Sequence, residues 1–360
     1  MTDQGPQPDA RTKAPTDAPR VLVVIVNYRT ADLTADCLDS LAPEVAQHPS
    51  TQVTVVDGAS GDDSVTDLQH HITQNGYADW ATLLTLEHNG GFAFGNNAAI
   101  RPALQFPKPD RPDWVYLLNP DTVLRPGVLT AALDHLKQHP DIAILGTRLE
   151  HPTGEPQHSA FRFHSVLGEF EHGARTGPVT KLLKQRVVAQ PIPDEPTECD
   201  WLAGASVFIR SDVFDAIGLL DEAYFMYYEE ADFFKRARAA GFACHYLPTS
   251  RVVHLVGAAS GVTTHEARKT KRRPAYWFES RRRYWLTHHG RLGLYASALA
   301  WTLGHSIAKA RDVLARRPSP YPPHLVRDLL RSTFFPKRPR LAAGFNPPSQ
   351  PQSTPAPQPS

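Results

Sequence analysis

Sulfur is scarce in this chain, with 3 cysteines and 2 methionines in 360 residues. Cys37, Cys199 and Cys244 are odd in number, far apart and outside any C-x-x-C or Cys/His spacing. That excludes a disulfide framework or a thiolate zinc site and predicts reduced, buried thiols. An excess of either charge is also missing, with 38 Lys and Arg against 37 Asp and Glu. Long apolar runs are absent too. The longest candidate, Leu292–Ala308, is interrupted by Thr302 and His305 and falls short of the roughly 20 residues of a spanning helix, so an interfacial or core helix is expected. The first twenty residues are polar and Pro-rich with no apolar core, which excludes a secretory signal and points to the cytoplasm. No internal repeat is visible.

What is present suits an α/β fold. A hydrophobic content of 41% supports one large domain or two smaller ones. Val21–Val26 is a short β-branched run that reads as a fully buried parallel strand. A helix is expected over 31–47, a strand over 53–56, a helix to about 75, and strands over 83–86 and 114–118. Each of these strands runs into polar residues: Asn27-Tyr28, Asp57-Gly-Ala-Ser-Gly61, Asn89-Gly-Gly-Phe-Ala-Phe-Gly-Asn-Asn97 and Asn119-Pro-Asp-Thr122. The alternation predicts a mostly parallel sheet flanked by helices, with ligand groups gathered at the carboxyl ends of the strands. Further elements are expected at 206–209 (strand), from Ser211 (helix), over 230–240 (helix) and near Val252 (strand). A disordered leader is expected over 1–19, a folded domain over 20–264, a basic, aromatic helical region over 265–340 and a disordered Pro-rich tail over 341–360.

Between His265 and Arg291 there are nine Lys and Arg against two Asp and Glu, with Tyr276, Trp277, Phe278, Tyr284 and Trp285 interleaved. Such a stretch suits phosphates of a lipid headgroup or lipid diphosphate, or else forms a solvated helix face with aromatics turned to the core. A nucleic-acid partner would leave the acidic features below unexplained.

Asp121, at a strand end, has the chemistry to hold a divalent cation that bridges a diphosphate, or to form an Asx turn or helix N-cap. Asp57 follows a buried strand and is placed either to accept the imide N–H of a uracil or thymine base or to cap the next helix. The 89–97 segment offers backbone amides and close approach but has neither the P-loop nor the dinucleotide-fold spacing. The run from Asp221 to Asp232 sets Glu229, Glu230 and Asp232 beside four aromatics just before a helix. There, burial and like charge would raise a carboxyl toward the range of a general base, while the competing role is to complement the helix N-terminus. His254 ends an apolar stretch as a metal ligand or a structural histidine.

Taken in order, these blocks are recognisable. From about residue 21 to 260 the chain resembles the family 2 glycosyltransferases of the GT-A fold, in particular the rhamnosyltransferase-like branch that builds bacterial surface polysaccharides. The resemblance rests on Val24-Ile-Val-Asn-Tyr28, Val55-Val-Asp-Gly-Ala-Ser60, the 89–97 block, Leu117-Leu-Asn-Pro-Asp-Thr122, and Gly218-Leu-Leu-Asp-Glu through Glu229-Glu-Ala-Asp232. It implies a GT-A nucleotide-sugar-binding fold with a helical C-terminal extension. It also implies an inverting, metal-assisted transfer of a sugar from a nucleoside diphosphate to an acceptor hydroxyl of a glycan or lipid-linked glycan. Val26, Asn27, Tyr28 and Asp57 would face the nucleoside, and Asn89, Gly91, Phe92 and Asn96 would border the nucleotide-sugar pocket. Asn119-Pro-Asp121 resembles the family's DXD element with Asn119 in place of the first carboxylate, so Asp121 would be the principal ligand of Mg2+ or Mn2+ and His254 would complete the site. Trp201, Gly204 and Ala205 resemble the segment lining donor sugar and acceptor. The family's usual Glu-Asp pair is Glu229-Glu230 here, which makes Glu230 the candidate base.

The same resemblance places the basic segment 279–290 toward a membrane or a lipid diphosphate. It implies a cytoplasmic enzyme held peripherally at the inner membrane face through 265–308. Two rivals remain at this level. A sugar nucleotidyltransferase would carry a Gly-rich, Arg/Lys-bearing N-terminal loop, which Val26-Asn-Tyr-Arg29 is not. A non-catalytic nucleotide-sugar binder would keep the fold and lose the chemistry, and the Glu229-Glu230 variation is its one support.

Overall fold

A computed structural model describes residues 18–255, 272–316 and 321–336. The expected leader up to residue 17, the tail from 337 and the 264/265 boundary lie outside the described residues. Strands β1 (Val21–Asn27), β2 (Thr51–Asp57), β3 (Ala81–Thr85) and β4 (Trp114–Leu118) alternate with helices α1 (Ala31–Gln47), α2 (Ser64–Gln74) and α3 (Gly91–Ala103). The apolar runs placed these strands to within two residues. Both faces of β1 are buried. Val21, Val23 and Ile25 pack with Leu38 and Leu41 of α1 and Leu68 of α2, whereas Leu22 and Val24 pack with Ala93, Ala99 and Ile100 of α3. A strand covered on both sides needs apolar residues at every position rather than alternation, and each such side chain contributes about 1.5–3 kcal/mol when fully buried.

The next elements are β5 (Thr122–Leu124), α4 (Val128–Gln138), β6 (Ile144–Glu150), β7 (Ala160–Phe161), α5 (Val166–Ala174) and α6 (Gly177–Leu182). After them come β8 (Thr197–Cys199), β9 (Trp201–Leu202), β10 (Ser206–Arg210), α7 (Ser211–Ile217), α8 (Glu229–Ala239) and β11 (Cys244–His254). The main sheet runs β3-β2-β1-β4-β10-β6-β11-β5, with β8 added alongside β11. Strands β1 to β4, β6 and β11 point one way; β5, β8 and β10 run against them. The sheet is therefore mostly parallel, and its strand order reverses beside β1, the place where open α/β sheets bind ligands.

Helix α9 (Ala275–Leu314) and α10 (Leu325–Phe334) close the described chain. The expected basic aromatic segment and apolar run are one helical element, broken at Gly290 (φ 67°, ψ −172°), a backbone conformation that glycine adopts without strain. Within 279–290, Glu279, Arg283 and Thr287 are exposed while Arg281, Tyr284 and Trp285 are buried, the arrangement of a solvated helix face with its aromatics turned to the core. Arg281 donates to Glu169 of α5 (2.8 Å) and to Ser297 (3.0 Å). Past the break α9 lies tightly on α5. A Cβ on Gly304 would stand 2.3 Å from Phe170 O, and one on Gly173 would stand 2.3 Å from Trp301 O.

Candidate active site

Four parallel strands deliver their polar ends to one edge. Asn27 and Asp57 are partners in the β1–β2 register, and Asn119 follows β4 directly. Asp57 is fully buried. Its Oδ1 accepts from Asn27 Nδ2 (2.7 Å) and Ser60 Oγ (2.6 Å), and its Oδ2 accepts from the Ser60 N–H (3.0 Å). Asn27 Oδ1 in turn accepts from the hydroxyls of Thr30 (3.0 Å) and Thr34 (3.1 Å). This knot fixes the turns after β1 and β2, where Arg29 and Ala59 hold left-handed φ values of 59° and 57°. It leaves the Tyr28 ring exposed, with the Arg29 guanidinium 5.2 Å from its centroid. Val26 packs under α3, close to Gly95.

The 89–97 segment is the start of α3, and its amides already have partners. Gly91 N–H donates to Asn89 Oδ1 (2.9 Å) and Phe92 N–H to Phe225 O (2.9 Å). Gly91 is needed because a Cβ there would lie 1.9 Å from Phe225 O, at a φ of 88°. Asn96 is buried and donates to Phe92 O (2.9 Å). The close approach read from the glycines is thus made by the chain's own acidic loop, which α3 supports from below.

Asp121, His254 and Glu230 come together at the centre of the edge. Asp121 is buried, with Oδ1 3.5 Å from His254 Nε2, and its carbonyl accepts the Leu255 N–H (2.9 Å). His254 is held there because β5 and β11 pair His254 with Thr122. Asn119 N–H donates to Ala205 O (2.9 Å), which ties the turn to the segment entering β10. One residue earlier, Gly204 N–H donates to Glu230 Oε1 (2.7 Å). A Cβ on Gly204 would stand 2.6 Å from that oxygen, so glycine is what admits the carboxylate. Trp201 donates Nε1–H to Arg162 O (2.9 Å), stacks on Phe161 at 4.2 Å, and lies near His164.

The three carboxyls of the acidic block have different fates. Burial raises the Glu230 pKa to about 7, against the pull of the Gly204 N–H and the charge of His254, while the residue stays partly accessible. Glu229 is buried, its Oε2 has no hydrogen-bond partner, and burial beside Glu230 pushes its pKa well above the usual carboxyl range. Asp232 is buried, which alone would raise it. His288 Nε2 (2.7 Å), Arg236 Nε (2.9 Å) and the Tyr224 hydroxyl (3.3 Å) surround it, and its pKa is lowered. Asp232 thus ties α8 to α9 through His288. The block enters α8 through Tyr227 and Tyr228, both left-handed at φ 70° and 69°, a conformation that costs non-glycine residues about 1–3 kcal/mol each.

Among the described residues no three His, Cys, Asp or Glu side chains are placed to hold a metal ion on their own. Asp121 and His254 are the carboxylate and imidazole that would hold a divalent cation here, and they lie within 3.5 Å of each other. His164, His288 and Arg281 were missed in the sequence. Ser165, next to His164, caps α5 by accepting the Gly168 N–H (3.1 Å).

A doubly covered, mostly parallel sheet with an Asn-Pro-Asp turn and an acidic helix start at its carboxyl edge defines a GT-A type of fold. The profile of glycosyltransferase-like family 2 matches residues 19–283, and the chain belongs to that family. It is 30% identical over 216 residues to the N-acetylglucosaminyl-diphospho-decaprenol L-rhamnosyltransferase of Mycobacterium tuberculosis, covering 57% of this chain and 64% of that protein. It is 26% identical over 166 residues to rhamnosyltransferase WbbL of Escherichia coli K12, covering 46% of this chain and 60% of that protein. The alignments thus span less than two thirds of either relative. Among solved structures, the mannosyltransferase PcManGT of Pyrobaculum calidifontis, in complex with GDP-Man and Mn2+, superposes over 92% of both chains with a TM-score of 0.50 and 15% identity, a likeness of fold.

Proposed function

We propose that the chain is an inverting glycosyltransferase that moves one sugar from a nucleoside diphosphate to a hydroxyl of a glycan or lipid-linked glycan. Likeness to the two curated rhamnosyltransferases favours rhamnose as the sugar and a lipid diphosphate-linked acceptor. The observation that carries the reading is Glu230. It is a partly accessible carboxyl held by the Gly204 amide (2.7 Å), beside the His254–Asp121 pair, with a pKa raised to about 7. That value suits a group that must take a proton near neutral pH.

In the reaction Glu230 accepts the proton of the acceptor hydroxyl, and the oxygen forms a bond to the anomeric carbon. The bond from that carbon to the diphosphate oxygen breaks, its electron pair leaving with the diphosphate, so the configuration inverts in one displacement. Mg2+ or Mn2+ held by Asp121 and His254 would neutralise charge on the departing diphosphate. Burial beside Glu230 disfavours the charged form of Glu229 and pushes its pKa up. Tyr28 offers an exposed ring for the nucleobase, and the Asn27–Asp57–Ser60 knot holds it in place. Trp201, Gly204 and Ala205 border the sugar and acceptor. Peripheral placement at the inner face of the cytoplasmic membrane belongs to the same reading, since a lipid-borne acceptor resides there.

The test is nucleoside-diphosphate release from thymidine, uridine and guanosine diphosphate sugars, with Mg2+, Mn2+ or chelator. Metal-dependent release from one donor, lost in Asp121→Ala and Glu230→Gln, is the expected result. Binding without release in the presence of a lipid-linked acceptor would favour a non-catalytic binder, and no donor binding would overturn the assignment.

A further inference from the structure

The outer face of α9 is as apolar as the face that packs. Beyond Gly290, the inner side chains Leu294, Ala298, Trp301 and Ala308 are buried, and the Gly173–Gly304 contact seats the helix on α5. On the opposite side Leu292, Leu299, Leu303 and Leu314 are 84%, 56%, 60% and 85% exposed, with Tyr295 and Ile307 also exposed. Steps of three and four residues put these side chains on one stripe, and 1.5 Å per residue makes it about 33 Å long. The stripe continues onto α10, where Phe334 stacks on Tyr295 at 5.1 Å and Phe335 is exposed. A helix face turned to water normally carries polar residues, and a continuous apolar strip marks an interaction surface.

Charge selects the occupant. Among the described residues from 290 to 336 the acids are Asp312 and Asp328, both buried and paired with Arg311 (2.7 Å) and Arg272 (2.6 Å) respectively. Arg291, Lys309, Arg316, Arg327 and Arg331 are all exposed. A second copy docked on this face would set like charges against each other. The sequence from 337 to 360 has two large apolar side chains, Leu341 and Phe345, too few to cover the strip. A bilayer with anionic headgroups satisfies both properties at once, taking apolar side chains at the acyl boundary and bases at the phosphates. No described helix is long and apolar enough to cross a membrane, so α9 would lie along the surface.

We propose that the outer face of α9, with Phe334 and Phe335, is the surface by which the protein docks on an anionic lipid bilayer. The lipid-facing element is then 292–314, whereas the basic aromatic segment before Gly290 is consumed in holding α9 to the catalytic domain. The proposal deepens the lipid-linked acceptor reading and takes its biological sense from it. Vesicle binding is measured without donor or acceptor, so either one fails without the other.

The experiment is co-sedimentation of the full chain with vesicles of phosphatidylcholine alone or mixed with phosphatidylglycerol, at low and physiological salt. Binding is expected on the mixed vesicles, weaker at the higher salt. It should fall at least ~10-fold in a Leu299→Gln, Leu303→Gln, Ile307→Gln variant, and less in an Arg291→Glu, Lys309→Glu variant. Thermal unfolding should be unchanged in both, because the replaced side chains are exposed. Absence of wild-type binding, or a triple variant that binds like wild type, overturns the proposal. A wild-type dimer that the triple variant dissociates, with no vesicle binding, assigns the face to a second copy and overturns it equally.

Discussion

Asp57 and Glu230 both stand at the carboxyl edge of the sheet, and their surroundings differ in origin. Asp57 is served by neighbours within three residues and by the adjacent strand: Ser60 twice and Asn27 once. Glu230 accepts from the Gly204 amide, which comes from a distant stretch of chain. A carboxylate saturated by local donors is scaffolding, and its charge is neutralised wherever the chain turns that way. A carboxyl positioned by a single remote donor, in a site that penalises its charge, keeps the capacity to exchange a proton. One edge therefore combines a half made rigid by local hydrogen bonds with a half whose carboxyl is held by a single remote amide.

That contrast can be broken by substitution. Glu230→Gln keeps the volume and an oxygen able to accept the Gly204 amide, so turnover should fall by about 10²- to 10⁴-fold with donor affinity retained, measured by single-turnover kinetics and calorimetry. In the parent enzyme the base must be deprotonated. Its pKa is raised to about 7, so kcat should climb as pH rises through about 7 and level above it, and an acid limb at the ordinary carboxylate value would remove Glu230 from the role. Next in size, Arg281→Met leaves the buried Glu169 without its cation and should cost about 3–5 kcal/mol, read as unfolding or release of α9 in hydrogen exchange.

The same pair has a pH signature. Burial works to raise the Glu169 pKa, but Arg281 and His164 hold it at about 2, below the unfolded carboxyl value of about 4.3. Its stabilisation is therefore complete above about pH 4.3 and disappears as pH falls toward about 2. Asp57→Ala removes three hydrogen bonds from the rigid half and should cost about 1–3 kcal/mol, with donor KM raised more than kcat is lowered. The smallest effect is expected of Glu229→Gln, which replaces a carboxyl whose charged form burial disfavours. A stability change within about 1 kcal/mol and near-parent turnover would confirm that Glu229 is not the base.

The two halves were unequally legible in the sequence. Strands β1 and β4 announce themselves because they are buried on both faces, and β1, β2 and β4 each end at a turn made by their own residues. The stretch from 139 to 200 gave no readable pattern. Its strand β7 spans two residues and β8 three, and both exist through pairing with β9 and β11 far along the chain. Asp121, His254 and Glu230 were each visible as a residue type, but their convergence depends on β5 pairing with β11 and on Gly204 admitting a side chain from α8. Asp232 looked like a third member of the acidic cluster because adjacency in sequence hides direction. Two residues further along a helix, it points toward Arg236 and His288. The basic aromatic segment looked like a surface for the same reason, since nothing in its own residues reveals that Glu169 lies opposite Arg281.

The pair of left-handed tyrosines before α8 bears on how the acidic block could be turned off. Successive side chains on a helix are separated by about 100° of rotation, so the conformations of Tyr227 and Tyr228 set the angular phase at which α8 begins. If either relaxed to the ordinary right-handed basin, the first turn would rewind and present a different face to Gly204. Helix phase thus decides which side chain meets the Gly204 amide, and Tyr276 of α9, whose ring lies 6.1 Å from that of Tyr227, packs on a residue that sets that phase.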